Sequence, residues 1–550
     1  MPKNFWNSLK EEIAKSLEAS VEEIEEPEKY GDFAYPCFNL SKRMKRNPNE
    51  IAKELAKKTK VNFIEKVEAT GPYVNFYVDW SKFGNKLLES IDDEYGSSEE
   101  KGTVMMDVFQ ANPFKAFHIG HVKNAATGEA IRRMLEKTGM KTVTVNYNGD
   151  VGIHVARWLL YYNKFCNGKV PEDFTRFSGD IYAKSSKLSK EDPKFEEDAQ
   201  ELNRKLDQRD PSIIKQWKKF RDLCYKDIER IRKDINVKVD AMIPESECEE
   251  PGKKIVMELF EKGKLVKSEG AIGIDMEKHG LGFFILLKSD GTAIYATKDF
   301  GLFHLKHERF DFDRMMYVVG SEQNFYFNQL FKAFDLLGLY PIEKSRHVSH
   351  GMVTLKDTKM ASRLGNVITY EELRDIMTKK ALEEIEAKNP DMENKEDTAK
   401  KIALGAMMFQ MLDMENNKSI KFDWEQALDI QGRSGPYLQY SLVRALNIIN
   451  KDKVSSFDAS LLKEDIELKL MKKIAKFPDV LKNATENYSP SIIANYLFEL
   501  SQIFNSFYHS AQVLKAEESL KNARLKLVDS VSIVLKSGIY LLNIPFLEKM

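Results

Sequence analysis

Cysteine is scarce. The 550-residue chain holds Cys37, Cys166, Cys224 and Cys248, and no two of them form a Cys-x-x-Cys pair. Without that spacing no structural zinc site of the usual kind is expected, and scattered free thiols suit a reducing cytosol. No apolar run reaches the roughly 18 residues that a membrane span needs, so no membrane partner is expected. The opening MPKNFWNSLKEEIAKSL reads as an amphipathic helix carrying acids. It lacks the apolar core of a secretory signal and the acid-poor composition of a transit peptide, and a cytoplasmic location is expected. No internal repeat is evident. An excess of one charge is missing too. Charged residues make up 31% of the chain but sum to −1, so RNA contacts have to come from local Lys/Arg clusters. What is present is core material, 42% hydrophobic residues in a length sufficient for about three or four domains.

The chain is organised around Thr103 to Arg133. An apolar, β-capable run from Thr103 to Phe109 breaks at Ala111-Asn112-Pro113, then reaches His118-Ile119-Gly120-His121 and a helical pattern through Ala125, Ala130, Ile131 and Met134. A strand, a short turn and a helix opening at a glycine is a geometry that holds phosphates. Free N–H groups and the dipole at a helix N-terminus favour anions. His118 and His121 share one helical turn, and Gly120 allows a ligand close to the backbone. Taken as an isolated H-x-G-H, the pair is equally compatible with two polar surface histidines. The longer stretch resembles the HIGH signature of class I aminoacyl-tRNA synthetases, and its Ala-Asn-Pro lead-in resembles the arginyl-tRNA synthetases.

Before that stretch, residues 1–95 read as a small α+β module with a Gly71-Pro72 turn and a strand from Tyr73 to Val78. Gly31-Asp32-Phe33-Ala34 and Thr70 to Phe76 resemble the family's N-terminal domain, which touches the D-loop corner of tRNA. By that resemblance Tyr73 stacks on a base and Asn75 reads its edge; on spacing alone, Tyr73 and Phe76 packing the small core is the plainer reading.

Residues 103–370 form the expected catalytic domain, a Rossmann-like α/β fold with a parallel sheet. A strand Thr142–Tyr147 ends in Asn148-Gly149-Asp150, where Asp150 is a turn former or a catalytic acid. About 160–245 reads as a helical insertion, which the family places near the acceptor stem. Gly270–Asp275 and Phe283–Lys288 read as a hairpin. Then comes Ser289-Asp290-Gly291-Thr292-Ala293-Ile294-Tyr295-Ala296-Thr297-Lys298-Asp299. Tyr295 and Asp299 fall on one helix face, and a carboxylate beside a phenol suits a guanidinium. An exposed Asp and a half-buried Tyr are the plainer reading of two residues. The segment resembles the family's arginine-binding stretch. The same matching adds Gln323, at the end of a strand Phe312–Gly320, and Asp107, Gln110 and Asn112; Gln110 replaces a serine common in the family.

His347 to Arg363 reads as a strand, Val348–Val353, followed by a polar loop, Lys359-Met360-Ala361-Ser362-Arg363. It resembles the second class I signature, KMSKS, in the looser form of arginyl enzymes. A mobile loop with a lysine can close over a triphosphate as charge develops. Ser362 stands where the second lysine belongs, and Lys115 resembles the lysine that substitutes for it. Residues 371–550 read as an all-helical domain without strand signals. Gly432 to Tyr440 with Arg444 resembles the family's anticodon-binding signature. Tyr437, Tyr440 and Arg444 fall on one face, where aromatic platforms beside an arginine can grip unstacked bases; helix packing is the plainer reading. Tyr508 is a further candidate.

The resemblance implies arginyl-tRNA synthetase chemistry, with L-arginine, ATP with Mg²⁺ and tRNA(Arg) as partners of a monomer. The arginine carboxylate attacks the α-phosphorus, giving arginyl-adenylate, and the arginyl group then passes to the tRNA. It implies His118, Gly120, His121, Lys115 and Lys359 as catalytic residues. Ala111, Asn112, Pro113, Phe117, Ile119, Gly351, Met352, Met360 and Ser362 join them around ATP.

Overall fold

The computed structural model describes residues 4–549 except 28, 172–173, 357–367, 453 and 455. Its N-terminal part runs α1 (Phe5–Ser16), β1 (Phe33–Pro36), α2 (Phe38–Met44), α3 (Pro48–Lys58), β2 (Ile64–Thr70), β3 (Tyr73–Val78) and α4 (Trp80–Ser90). The three strands pair antiparallel in the order β1-β3-β2. Trp6 seals this sheet against Phe33, ring centroids 4.4 Å apart.

The central part begins with β4 (Thr103–Asp107), α5 (Ile119–Lys137), β5 (Lys141–Asn148) and α6 (Ile153–Phe165). The helices α7 (Phe174–Glu191), α8 (Pro193–Asp207) and α9 (Pro211–Asp234) follow, then β6 (Ala241–Pro244) and α10 (Glu245–Glu261). Next come β7 (Val266–Ser268), β8 (Ala271–Asp275) and β9 (Phe283–Leu287), a small antiparallel sheet. The part closes with α11 (Tyr295–Arg309), β10 (Arg314–Gly320), α12 (Asn324–Leu336), β11 (Ser345–His350) and β12 (Val353–Leu355). The main sheet has the order β11-β10-β4-β5-β6, parallel throughout. The order of winding reverses between β4 and β10, since the chain runs out through β5 and β6 and then returns to the other side of β4, and in such doubly wound sheets the crevice at the strands' carboxyl ends takes the ligand.

The last part is helical: α13 (Tyr370–Lys388), α14 (Lys395–Leu412), β13 (Ile420–Phe422), α15 (Trp424–Leu428), α16 (Gly435–Ile449), α17 (Asp465–Ala475), α18 (Phe477–Glu486), α19 (Pro490–Ser510) and α20 (Glu518–Leu541).

Helix α5 lies at the centre. One side packs on β5 and β10, the other on α14, α18 and α20. Its all-round burial explains why its apolar stripe is indistinct and why several of its polar side chains find partners inside the protein. Asn124 donates to Val318 O, and Glu129 holds both Arg132 and Arg133. Arg133 also reaches Tyr540 O at 2.7 Å and Asn543 at 2.8 Å, tying α5 to the helical part. Gly128 is required by contact, because a Cβ there would lie 2.7 Å from Val108.

Four boundaries differ from expectation. The first strand stops at Asp107 rather than Phe109, because Phe109 and Gln110 turn to φ 75° and 49°. The stretch taken as helical through about 245 ends in a sheet strand, β6, since four residues cannot announce themselves by periodicity. The strand expected at Val348–Val353 is two, β11 and β12, split at Gly351. The region expected to lack strands contains β13, which pairs parallel with β12; a three-residue strand is set by its distant partner.

Candidate active site

The loop from β4 to α5 is under backbone strain. Phe109, Gln110 and Phe114 all take positive φ without being glycine, each costing on the order of 1–3 kcal/mol. Fixed contacts hold it. Ala111 and Asn146 exchange two hydrogen bonds at 3.1 Å, and Asn112 Oδ1 accepts from Gly149 N at 2.6 Å. Pro113 and Phe117 are buried within the loop.

The loop delivers His118 as N-cap of α5, with Gly120 as the helix's second residue. His118 Nδ1 accepts from Gly120 N at 3.1 Å, and His121 Nδ1 accepts from His118 N at 3.1 Å. The two imidazoles stack with centroids 3.9 Å apart, and Phe117 covers His121 at 5.1 Å. Burial holds both below the usual imidazole range, His121 well below, with the neighbouring Lys115 charge adding to the effect. A neutral ring that accepts at Nδ1 carries its proton on Nε2. The helix terminus thus provides two Nε2–H donors, while the backbone N–H groups of its first turn are taken up by His118 Nδ1, His118 O and Ile368 O. Gly120 permits this fold-back, since a Cβ would stand 3.0 Å from His118 Cε1. The segment after residue 367 is zipped onto the same stretch: Ile119 N donates to Ile368 O at 3.1 Å and Tyr370 N to Phe117 O at 2.9 Å. Lys359, Met360 and Ser362 lie outside the described residues. Lys115 is half-buried, and burial lowers its ammonium despite the nearby Glu245 carboxylate. Gly351 and Met352 lie just past β11; a Cβ on Gly351 would strike Lys418 O at 2.3 Å, which accounts for the glycine by packing.

The other end of the crevice is acidic. Asp299, one turn into α11, is buried and accepts from the Tyr326 hydroxyl. Burial pushes its carboxyl up to about 7; Tyr326 and Lys306 pull down, while Asp107 and Glu245 push further up. Tyr295 stands exposed at the start of the same helix, and Gln323 is exposed at the N-cap of α12. Asp107 is 1% exposed, pairs with Lys306 Nζ at 2.9 Å and accepts from Gln110 Nε2 at 2.7 Å. That partner is 199 residues away in the chain, beyond any local reading. Asp150 is structural here, accepting from Ser246 N at 2.9 Å and Ser246 Oγ at 2.7 Å. Tyr326, Lys306, Glu245 and Lys298 were missed. None forms a recognisable motif, and each joins the site through the fold.

The RNA candidates fall in two places. Tyr73 is half-buried against Phe38, 5.7 Å between centroids. Asn75 is 3% exposed on the middle strand of its sheet, and its Nδ2 is buried without a hydrogen-bond partner. Strand alternation cannot distinguish a middle strand covered on both faces from an edge. In the helical part, Arg444 lies over both Tyr440 and Tyr508, at 4.5 and 4.3 Å, and donates to Tyr440 Oη and Asn505. Tyr437 points to Phe498 instead.

A doubly wound sheet whose first crossover helix opens on paired histidines, followed by a helical bundle, defines a class I aminoacyl-tRNA synthetase. Family models match in sequence order: the arginyl tRNA synthetase N terminal domain over residues 3–78, the class I (R) tRNA synthetase catalytic domain over 85–424, and the DALR anticodon binding domain over 438–550. The chain is 36% identical to the arginine–tRNA ligase of Clostridium beijerinckii over 100% of both chains, and 34% identical to that of Halothermothrix orenii, again over 100% of both. It is similar in structure to Thermus thermophilus arginyl-tRNA synthetase, with TM-score 0.84 and 25% identity, covering 99% of this chain and 100% of that one. The Plasmodium falciparum arginyl-tRNA synthetase shares the fold at TM-score 0.77 and 20% identity, over 99% and 98%. The chain belongs to the arginyl-tRNA synthetase family.

Proposed function

We propose that this chain joins L-arginine to tRNA(Arg) at the expense of ATP, and that its crevice performs both steps. The arginine carboxylate attacks the α-phosphorus of ATP, the bond to pyrophosphate breaks, and arginyl-adenylate forms. A ribose hydroxyl of the tRNA's terminal adenosine then attacks the arginyl carbonyl and releases AMP, its proton passing to solvent. The Nε2–H groups of His118 and His121 donate to phosphate oxygens as charge grows in the transition state. The N-terminus of α5 adds its partial positive charge, and Lys115 adds a full one. Mg²⁺ arrives with the triphosphate as part of the substrate. Asp299 receives the guanidinium, with Tyr295 and Gln323 at the rim. Asn112 places the reacting end between the two sites. The Tyr440–Arg444–Tyr508 cluster offers stacking surfaces to unpaired bases, and Tyr73 offers one at the other end.

The observation carrying this reading is the paired-histidine terminus of α5 together with the buried Asp299 carboxylate, joined through Glu245, whose charge acts on both Lys115 and Asp299. ATP–pyrophosphate exchange with purified protein, run for each amino acid with and without tRNA, tests it. Exchange for arginine alone is expected. Exchange for another amino acid would overturn the pocket assignment, and none under any condition would overturn the enzyme.

A further inference from the structure

The acidic end of the crevice contains more charge than one guanidinium requires. Asp107 on β4 and Asp299 on α11 are both carboxylates with almost no exposure. Lys306, two turns after Asp299 on α11, is fully buried with them. Its Nζ sits 2.9 Å from Asp107 Oδ2 and 4.2 Å from the centroid of the Tyr317 ring. Tyr326, from α12, donates its hydroxyl to Asp299 Oδ2.

The charge of Asp107 acts on Asp299, and two buried carboxylates that interact do not readily both stay ionised unless a cation accompanies them. If one took up a proton, it would become a donor. A guanidinium presents five donors and accepts none, so a protonated carboxyl in its path repels it. A buried ion pair is weak grounds for stability, because desolvation offsets the Coulomb gain. Lys306 therefore calls for another account.

We propose that Lys306 and Tyr326 are specificity-determining positioning residues of the amino-acid pocket. Lys306 cancels Asp107, leaving the pocket a single net negative charge that matches a single guanidinium. Tyr326 fixes Asp299 by one oxygen and turns the other toward the ligand. The inference rests on Asp299 being the guanidinium acceptor.

The test measures binding of arginine and of citrulline, its neutral ureido isostere, to the full-length protein by calorimetry from pH 6 to 9. ATP binding is measured alongside. Lys306→Met is expected to weaken arginine at least ~30-fold, narrow the gap to citrulline, and move the pH midpoint of arginine binding up by about one unit, since a cation beside Asp299 is lost. Lys306→Arg restores the gap and the midpoint. Tyr326→Phe moves the midpoint upward with a smaller loss, and it carries the test if Lys306→Met does not fold. ATP affinity stays unchanged in the folded variants. An arginine affinity that falls in Lys306→Met or Tyr326→Phe without any movement of the midpoint would overturn the proposal, as would no fall at all. Asp299→Asn separates the two levels. If that variant binds arginine normally, the pocket reading itself fails; if it loses arginine while Lys306→Met and Tyr326→Phe are silent, only the positioning role fails.

Discussion

Arginine affinity should depend on pH in a way that a permanently charged ligand does not cause by itself. A guanidinium stays protonated throughout the accessible range and the ligand's α-amino group titrates only on the alkaline side, so a slope on the acid side of neutrality belongs to the protein. In the free site, burial holds the Asp299 carboxyl at about 7. The groups facing it are Tyr326 and Lys306, which favour its charge, and Asp107 and Glu245, which oppose it, with Tyr147 and Tyr317 close by. A bound guanidinium pulls the carboxyl well below this value, so binding releases a proton wherever the free site holds one. Affinity is then complete above pH 7 and is lost as pH falls through 7. At pH 6 about a tenth of free sites are ionised and at pH 8 about nine tenths. That corresponds to roughly tenfold weaker binding at pH 6, or about 1.4 kcal/mol. His118 and His121, held below the usual imidazole range, contribute little slope here. Calorimetry in two buffers of different ionisation enthalpy counts the protons directly: nearly one released per arginine at pH 6 and about a tenth of one at pH 8. Asp299→Asn should bind weakly and without slope. A wild-type affinity that is flat from pH 6 to 8 refutes the reasoning, and so does a slope that survives in Asp299→Asn.

Gly120→Ala places a methyl 3.0 Å from His118 Cε1 and 3.1 Å from its Nδ1, so the ring must give by a few tenths of an ångström and its hydrogen bond from Gly120 N loosens. Pyrophosphate exchange should slow by about tenfold or more with arginine affinity unchanged; equal loss of both would point to a collapsed loop. Lys123, wholly buried on α5 with Met411 O as its hydrogen-bond partner, has its ammonium pushed from 10.5 down to about 8 by burial. Its folded value lies below the unfolded one, so charging it costs about 3 kcal/mol below pH 8, and that cost fades as pH rises toward 10.5. Lys123→Met should therefore be more stable by about 2 kcal/mol at pH 7, after about 1 kcal/mol for the lost hydrogen bond, with no advantage near pH 10.5. Denaturant unfolding at the two pH values measures this, and a variant less stable at pH 7 contradicts it.

Sequence alone determined the features that are local in the chain. His118, Gly120 and His121 lie within one helical turn, their hydrogen bonds close between residues two or three apart, and the motif is readable because its geometry is its spacing. The same holds for the Gly71-Pro72 turn between β2 and β3 and for Asp299 following Tyr295 on α11. Tertiary structure decided whatever depends on partners distant in sequence. The pairing of Asp107 with Lys306 exists only because the sheet and α11 bring the two together. The burial of Asn75 follows from β3 becoming the middle strand. Tyr326 carried no motif, yet α12 sets its hydroxyl on Asp299. Tyr437 and Tyr440 look equivalent in spacing, but α19 supplies Phe498 to one while Tyr508 and Arg444 surround the other. The reason is physical. Backbone spacing fixes which side chains share a helix turn or strand face, whereas burial, ionisation and pairing depend on what packs against that face, and the packing element comes from anywhere in the chain.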